Sequence, residues 1–326
     1  MKIRTFTVIA AFVMLLACSV FVPGMAEETE SVYEPVNAKK GIYRLKDTDY
    51  LVMDYHLYFK PEQTVQQARS FTEIMSQFPD VKTYVYCVTT FRTLDFDHLG
   101  EEPPLFTLIR ENYPDSEVAC LEIGSVEEYT DYYYQTDHHW NYKGSYAGYE
   151  QIVHMLLGED EPLMEPVETV EFPVYFNGST NKELNLKDCK ERFTVYRFEY
   201  PEMQIKINDK KKSSYGLQKN YFAGKYSTQP FVNHYGQFYG GDVGLIEICT
   251  GDESKGNLLV LANSLSNPID LLLATHFNHT YFVDTRHYSK DMGGLFWLSR
   301  AVEKWDIGQV LMLGDGQFFM SGATYR

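Results

Sequence analysis

The apolar run LLVLA at residues 258–262 is followed directly by Asn263-Ser264-Leu265. Five apolar residues without a polar break are typical of a strand that is buried on both faces of a sheet. Further elements are predicted after this run in alternation: a helix at 269–274, a strand at 280–284, a helix at 294–304 and a strand at 309–313. This order predicts a βαβαβ unit with parallel strands. It places Ser264 at the carboxyl end of a central strand, where open α/β sheets bind ligands.

The first half of the chain shows the same alternation. Apolar residues recur at helical spacing over 61–78, and the run 81–89 is rich in valine and tyrosine, as strands are. Residues 165–250 differ, because short alternating runs are separated there by Gly, Asn, Asp and Lys. We therefore predict one α/β domain at about 45–320, with a parallel sheet flanked by helices and a β-rich insertion at about 165–250.

The pentapeptide TDHHW at residues 136–140 carries the best catalytic signal in the sequence. A carboxylate at Asp137 can fix the tautomer of His139 and stabilise its imidazolium while the ring acts as a general base. Much later in the chain, Ser264 supplies a candidate nucleophile. A serine between a buried strand and a helix can expose its hydroxyl, and we expect the first amide groups of that helix to stabilise an oxyanion.

Each of these residues also has a simpler interpretation. A serine before a helix more often caps the helix than attacks a substrate, and a single histidine is more often a core or surface residue. The aspartate and two histidines at 137–139 could instead ligate a metal, but no further spaced ligand set stands out, so no metal site is predicted. Asp97-His98 is a second acid–histidine pair, which we interpret as loop polarity.

Composition and charge limit the class of partner. The chain has 326 residues and a formal net charge of −16, with no basic stripe, which argues against a nucleic-acid partner. Tyrosine is abundant, at 26 residues, and such tyrosines occur both on carbohydrate-facing surfaces and at ordinary domain rims. The tyrosine count therefore leaves both interpretations open.

The N-terminus has the features of a targeting segment. Lys2 and Arg4 precede an apolar run at 6–22, and a small-x-small cleavage site ends at Ala26. The tetrapeptide LLAC, ending at Cys18, also resembles a lipoprotein box that would make Cys18 a lipid anchor. Either route predicts export. We therefore predict two N-terminal segments: a signal peptide or lipoprotein signal at 1–26 and a tether at 27–44.

The TDHHW segment and the helix predicted after it resemble the signature of the DHHW protein family, relatives of the alginate O-acetylation proteins within the SGNH-hydrolase superfamily. Further similar segments are FNGS at 176–179, YGGD at 239–242, the nucleophile block at 258–267, FVDTRHY at 282–288 and the closing strand at 310–313. The resemblance covers about 45–320, with the Asp-His pair before the serine, an order distinctive of this branch. It implies an SGNH-hydrolase-like fold.

The same resemblance assigns roles to individual residues. Ser264 would be the nucleophile, His139 the general base and Asp137 the carboxylate that orients it. The resemblance also implies substrate-binding residues: Gly178, Ser179, Arg286 and Trp140, of which Trp140 would either pack against the histidine or face a sugar. One departure affects the nucleophile, because the family usually has Asp before the serine and this chain has Asn263, which keeps the shape and loses the charge.

The function implied by this resemblance is an exported O-acetyltransferase or acetylesterase that acts on a cell-surface or secreted polysaccharide and needs no cofactor. A membrane-bound O-acyltransferase is the partner that the resemblance implies. Two alternatives stay open at this point. The chain could be a carbohydrate-binding or scaffold protein without turnover, which the Asn263 departure and the tyrosine content favour, or a metal-dependent esterase built on residues 137–139.

Overall fold

A computed structural model of the protein describes residues 31–57, 59–186, 189–212 and 218–326. The predicted signal segment, with Cys18, lies outside these ranges. Within them, no helix has both the length and the apolar character that crossing a bilayer requires.

The described residues form β-strands at β1 (Tyr33–Asn37), β2 (Ile42–Leu45), β3 (Leu51–Met53), β4 (Lys82–Cys87), β5 (Glu117–Cys120), β6 (Glu168–Tyr175), β7 (Arg192–Arg197), β8 (Gln204–Ile207), β9 (Lys210–Lys212), β10 (Leu245–Cys249), β11 (Asn257–Ala262), β12 (His279–Val283) and β13 (Gln309–Gly314). Helices occupy α1 (Pro61–Met75), α2 (Pro104–Asn112), α3 (Val126–Tyr132), α4 (Tyr142–Leu157), α5 (Ser179–Leu184), α6 (Gln218–Phe222), α7 (His234–Tyr239), α8 (Asp270–Ala274), α9 (Thr285–Met292), α10 (Leu298–Lys304) and α11 (Gly316–Phe319).

An eight-stranded sheet in the order β5-β4-β13-β11-β12-β10-β8-β9 forms the main framework. The strands from β5 to β12 are parallel to their neighbours, whereas β10, β8 and β9 extend the sheet with antiparallel pairs. Two small antiparallel sheets, β1-β2-β3 and β6-β7, complete the strand pairing among the described residues. The predicted α/β class, a largely parallel sheet flanked by helices, is confirmed.

Separate apolar layers cover the two faces of the large sheet. Leu258 and Val260 of β11 belong to one layer, and Leu259 and Leu261 belong to the other. All four side chains are completely buried. Because β11 is buried on both faces, these positions are apolar without a polar break. The strand could therefore be predicted directly from the sequence.

In the predicted β-rich insertion at 165–250, the described residues form five strands and also the three short helices α5, α6 and α7. The β6-β7 pair, together with α6 and α7, encloses a third, mainly aromatic cluster that includes Phe193 and Phe238. Strands β8, β9 and β10 instead join the large sheet. The insertion therefore contributes both to the sheet and to a layer of its own.

The structure differs from the sequence interpretation at two places. Strand β1 begins at Tyr33, so the segment interpreted as a tether overlaps the sheet β1-β2-β3. The second place is α9, a helix that the sequence did not predict, which follows β12 directly. The Asp284 carboxylate accepts the Arg286 amide at 3.0 Å, which caps the helix.

The carboxyl ends of β4, β13 and β11 lie side by side, because these strands are neighbours in the sheet. The chain leaving β11 carries Asn263 and Ser264, the chain leaving β13 carries Asp315, and the chain leaving β4 carries Arg92. These segments meet at the edge of the sheet where open α/β folds place their ligands.

Candidate active site

Ser264 lies in a turn two residues beyond the end of β11, with its side chain partly exposed and both neighbours buried. Backbone hydrogen bonds shape this turn, since the Ser266 amide donates to the Asn263 carbonyl at 3.1 Å and the Asn267 amide donates to the Ser264 carbonyl at 3.3 Å. Helix α8 begins six residues after Ser264, at Asp270. The expectation that the first amides of this helix flank the serine is therefore wrong.

Asp137 and His139 lie in a buried loop between α3 and α4, with exposed fractions of 5% and 8%. The loop is closed by an antiparallel bridge between Tyr133 and Trp140. Oδ1 of Asp137 lies 2.5 Å from Nδ1 of His139 and also accepts the His139 backbone amide at 3.1 Å. An ionised carboxylate only accepts hydrogen bonds, so Nδ1 carries the proton and Nε2 is left as an acceptor.

Nε2 of His139 lies 2.9 Å from Oγ of Ser264, although the two residues are 125 positions apart in the sequence. Asp137, His139 and Ser264 thus form one continuous series of hydrogen bonds. In this series the serine hydroxyl donates to the imidazole and the imidazole donates to the carboxylate. Such an arrangement can remove a proton from the serine and hold the resulting positive charge on the ring.

The Asp137 carboxylate is held from both sides. Its Oδ2 accepts the Ser179 backbone amide at 2.6 Å, at the start of α5. Burial alone would raise the pKa of Asp137, but the charges of His139 and His138 and the hydrogen bonds from His139 and Ser179 together hold it below its usual range. The carboxylate is therefore charged at neutral pH.

Gly178 and Ser179, which the sequence interpretation assigns to substrate binding, lie behind this carboxylate. The Gly178 amide donates to the Thr136 hydroxyl at 2.8 Å. A Cβ at Gly178 would lie closer than 3.0 Å to the Asp137 side chain and to the Thr136 carbonyl, closer than real Cβ atoms come. The glycine is thus required for space, and its binding of substrate stays a prediction.

Replacing Gly178 with alanine is expected to displace Asp137 and lower kcat/KM for an activated acetyl ester by about 100-fold, the usual cost of misplacing a catalytic group by about 1 Å. The matched control is Gly294→Ala, where an added Cβ has nothing within 4 Å. Ester kinetics of the two variants check this. Equal activities would show that the carboxylate tolerates displacement.

His138 points away from the serine. Its Nδ1 lies 3.0 Å from Oγ of Ser179 and 3.3 Å from Oδ1 of Asp137. Burial, followed by the charges of His139 and Arg92, lowers the pKa of His138 to about 3. The ring is therefore neutral at physiological pH, and it supports the loop without adding a second positive charge beside His139.

Trp140 is completely buried in the apolar layer of α4 and cannot face a sugar in this conformation. Its indole Nε1–H donates to the Leu265 carbonyl at 3.0 Å. A Cβ at Gly148 on α4 would collide with the indole ring, so this glycine provides the space that the ring needs. Trp140 therefore ties the histidine loop to the serine turn.

Arg286, the other predicted substrate-binding residue, is bound to a neighbouring carboxylate. Its Nε lies 2.9 Å from Oδ1 of Asp284 and its Nη2 lies 2.5 Å from Oδ2, a bidentate pair. Asp242 approaches the same guanidinium at 3.8 Å. Contact between Arg286 and a substrate stays a prediction, and any such contact would compete with these two carboxylates.

The structure also reveals a polar network that the sequence did not indicate. Nδ2 of Asn263 donates to Oδ1 of Asp315 at 3.0 Å, and Oδ1 of Asn263 accepts the Leu265 amide at 3.3 Å. Asp315 is 0% exposed, and its Oδ2 accepts from Nη1 of Arg92 at 3.1 Å. The network joins the ends of three adjacent strands, and the Asn263 amide adds a side-chain donor to the Gln317 and Phe318 backbone amides that also donate to Oδ1 of Asp315.

A shallow pocket opens beside Ser264. Its lining is mixed, with the apolar Ile246 and Phe282 near the polar side chains of Asn263, Ser266 and Asn267. A pocket with both kinds of wall beside the serine hydroxyl is a candidate place for the reacting group of a substrate.

Among the described residues, one group of side chains could hold a metal ion: Asp137, His138 and His139. Their potential ligand atoms lie within 4.8 Å of one another. Each of these side chains is also engaged within the protein: Asp137 binds His139, His138 lies against Ser179, and His139 lies against Ser264. A metal would have to break these hydrogen bonds, in particular the one that holds the serine.

No protein-family model and no curated protein matches the sequence. Comparison with solved structures does find similar folds. A DHHW family protein from Eubacterium siraeum superposes with a TM-score of 0.63 at 16% identity, over 90% of this chain and 99% of the other. The fold is similar to that of a DHHW family protein.

PatB1 from Bacillus cereus, solved with a sulfonyl adduct, gives a TM-score of 0.62 at 18% identity, over 87% of this chain and 99% of PatB1. The O-acetyltransferase domain of Pseudomonas putida AlgJ gives 0.42 at 11% identity, over 86% and 92% of the two chains. The match to a DHHW family protein agrees with the resemblance that the TDHHW segment suggested. At such low identity, the likeness to the DHHW protein and to PatB1 establishes the fold.

Proposed function

We propose that this protein is an exported, serine-dependent O-acetyltransferase or acetylesterase that acts on a cell-surface or secreted polysaccharide. The observation that carries the proposal is the 2.9 Å contact between Nε2 of His139 and Oγ of Ser264. The ring is oriented from behind by a buried, charged carboxylate at Asp137. These three groups are the parts that acyl transfer through a serine requires.

In the first half of the reaction, Oγ of Ser264 attacks the acetyl carbonyl while Nε2 of His139 takes the hydroxyl proton. A new O–C bond forms and the carbonyl electron pair moves onto oxygen, giving a tetrahedral oxyanion. Ser266 and Asn267 line the pocket and are candidates to donate hydrogen bonds to it, in exchange for their present bonds to the Asn263 and Gly240 carbonyls. The bond to the leaving group then breaks, and His139 returns the proton to that group.

In the second half, an acceptor hydroxyl attacks the acetyl-serine while Nε2 of His139 takes its proton. The bond between the acetyl carbon and Oγ of Ser264 then breaks, and His139 returns the proton to Oγ. A sugar hydroxyl as acceptor gives an O-acetylated polysaccharide, whereas water gives acetate. Transferase and esterase therefore differ only in which acceptor reaches the acyl-enzyme.

The proposed location and partner follow from the N-terminal sequence and from the resemblance to DHHW proteins. Residues 1–26 have the charge and apolar pattern of an export signal, with lipid attachment at Cys18 as one route. A membrane-bound O-acyltransferase is the proposed source of acetyl groups, as the resemblance to DHHW proteins implies. The polysaccharide supplies the acceptor hydroxyls.

The proposal is tested with a serine-directed sulfonyl fluoride, followed by mass spectrometry of the intact protein and its peptides. We expect one adduct on Ser264, and we expect hydrolysis of an activated acetyl ester to stop as the adduct forms. Transfer is then measured by adding candidate polysaccharides and following acetylation of the polymer. Absence of both labelling and ester turnover, with binding to polysaccharide retained, would instead establish the carbohydrate-binding alternative.

Removal of divalent metals is expected to leave the ester activity unchanged, because the proposed reaction uses Ser264, His139 and Asp137 directly. Dialysis against a chelator, with elemental analysis before and after, is the measurement. The untreated protein serves as the control. Activity that falls on chelation and returns with one added metal would support the metal-dependent alternative built on residues 137–139.

A further inference from the structure

Tyr235 contacts both the histidine and the serine turn of the candidate site. Its ring stacks on the imidazole of His139, with 3.9 Å between ring centroids and an interplanar angle of 23°. Its hydroxyl donates to the backbone carbonyl of Ser264 at 2.7 Å. One side chain thus bridges the two groups whose separation determines whether the proton can be transferred.

The position of Tyr235 is set by the insertion rather than by the main sheet. It lies on α7, whose N-terminus is capped by the Asn233 side chain accepting the Gly236 amide at 3.0 Å. Tyr235 is only 3% exposed, and its ring also packs against Tyr239 and Tyr134 in the aromatic cluster of α6, α7, β6 and β7. The ring cannot turn away from the imidazole without disturbing this packing.

We propose that Tyr235 is a positioning residue for the reaction, and this inference rests on the function proposed above. Its hydroxyl holds the Ser264 backbone, and its ring face supports the plane of the His139 imidazole. The negative face of an aromatic ring attracts a cation. Tyr235 therefore interacts more favourably with the imidazolium formed during proton transfer than with the neutral ring of the resting state. An interaction of this kind lowers the barrier and does not change substrate binding.

Two substitutions separate the two contacts. Tyr235→Phe keeps the ring and removes the hydroxyl, so kcat is expected to fall about fivefold, the size of one neutral hydrogen bond. Tyr235→Leu removes both contacts and keeps an apolar side chain, so kcat is expected to fall about 50-fold. KM should stay unchanged in both variants, because Tyr235 is buried and is not among the residues that line the pocket beside Ser264. The second-order rate of Ser264 sulfonylation should fall in the same order.

Phe238→Leu is the matched control, because Phe238 lies on the same helix and is 1% exposed in the same aromatic cluster, away from His139 and Ser264. We expect this variant to lower the melting temperature as much as Tyr235→Leu while keeping kcat. Thermal unfolding of every variant is recorded with the kinetics.

Two results would overturn the assignment. If Tyr235→Leu and Phe238→Leu lower kcat equally, the role of Tyr235 is only structural. If KM rises while kcat stays constant, Tyr235 binds substrate instead. A third result would be a wild-type protein that neither hydrolyses the ester nor reacts with a sulfonyl fluoride. That result would contradict the proposed function itself, and the positioning role of Tyr235 would fall with it.

Discussion

Replacement of Ser264 with alanine is expected to abolish turnover of an activated acetyl ester, with a loss on the order of 10⁴-fold or more in kcat. His139→Ala should produce a loss of the same size, because neither group transfers the proton without the other. The double variant should be no worse than either single one, as expected for residues that act as a unit. Steady-state ester kinetics of the three variants measure these effects.

The matched control for the histidine is His276→Ala. His276 is also a buried histidine with an acid partner, since its Nδ1 lies 2.7 Å from Oε1 of Glu161, and its Nε2 lies 2.7 Å from the Tyr149 hydroxyl. Its loss should lower stability and leave kcat nearly unchanged. If Ser264→Ala kept the wild-type rate, or if the losses from Ser264→Ala and His139→Ala simply multiplied, the hydrogen-bonded series would not be the catalytic unit.

The second large effect is expected for Asn263→Asp, the change that would restore the residue usual in DHHW proteins. Nδ2 of Asn263 lies 3.0 Å from Oδ1 of the fully buried Asp315. An aspartate there would place a second carboxylate against the first, with Arg92 as the nearby cation. The resulting unpaired buried charge is expected to lower the free energy of unfolding by about 3–5 kcal/mol at neutral pH.

The pH dependence of this loss has a defined sign. Burial would raise the pKa of Asp315, but the charges of Arg92 and His138 and the hydrogen bonds from Arg92 and Asn263 hold it below its usual value. Two adjacent carboxylates share one proton, so the variant gains a carboxyl whose folded-state pKa is raised. The folded variant then binds more protons than the unfolded chain. Its stability relative to wild type therefore falls as pH rises through the interval between the ordinary and the raised pKa.

Urea unfolding measures this loss for wild type, Asn263→Asp and Asn263→Ala at about pH 4.5 and pH 7.5. The lower pH lies close to the pKa of an ordinary aspartate, and the higher pH lies well above it. Asn263→Ala removes the amide without adding charge, so its loss should be smaller and nearly equal at the two pH values. A loss for Asn263→Asp that does not grow with pH would show that the new carboxylate finds a compensating partner. It would also contradict our explanation that position 263 is an asparagine because the buried Asp315 carboxylate lies against it.

This network answers the question that the sequence raised about Asn263. An aspartate before the nucleophile is the usual residue in the family that the sequence resembles, so its absence favoured a protein without turnover. In the structure the neutral amide donates to Asp315 and still holds the Leu265 amide, so the turn that carries Ser264 is fully hydrogen-bonded at this residue. The neutral Asn263 side chain thus lies against the charged carboxylate of Asp315. The departure therefore gives no reason to expect a disordered serine turn.

The sequence indicated elements best where the physical signal is local. The LLVLA run predicted β11 because a strand covered on both faces must be apolar at each position. Helix α1 was predicted from its apolar spacing, and α4 from the face that follows Trp140. Helix α9 was not predicted, because it buries no residues and starts at the Asp284 cap rather than showing an apolar repeat.

The sequence by itself therefore determined the α/β class, a central strand ending at Ser264 and the pairing of Asp137 with His139, because each depends on residues close together in the chain. Only the tertiary structure decided that His139 reaches Ser264, that Asn263 donates to Asp315, and that Tyr235 lies between histidine and serine. These contacts join residues 29 to 125 positions apart. No local pattern encodes them, since the order of strands in the sheet and the packing of the insertion set which distant side chains meet.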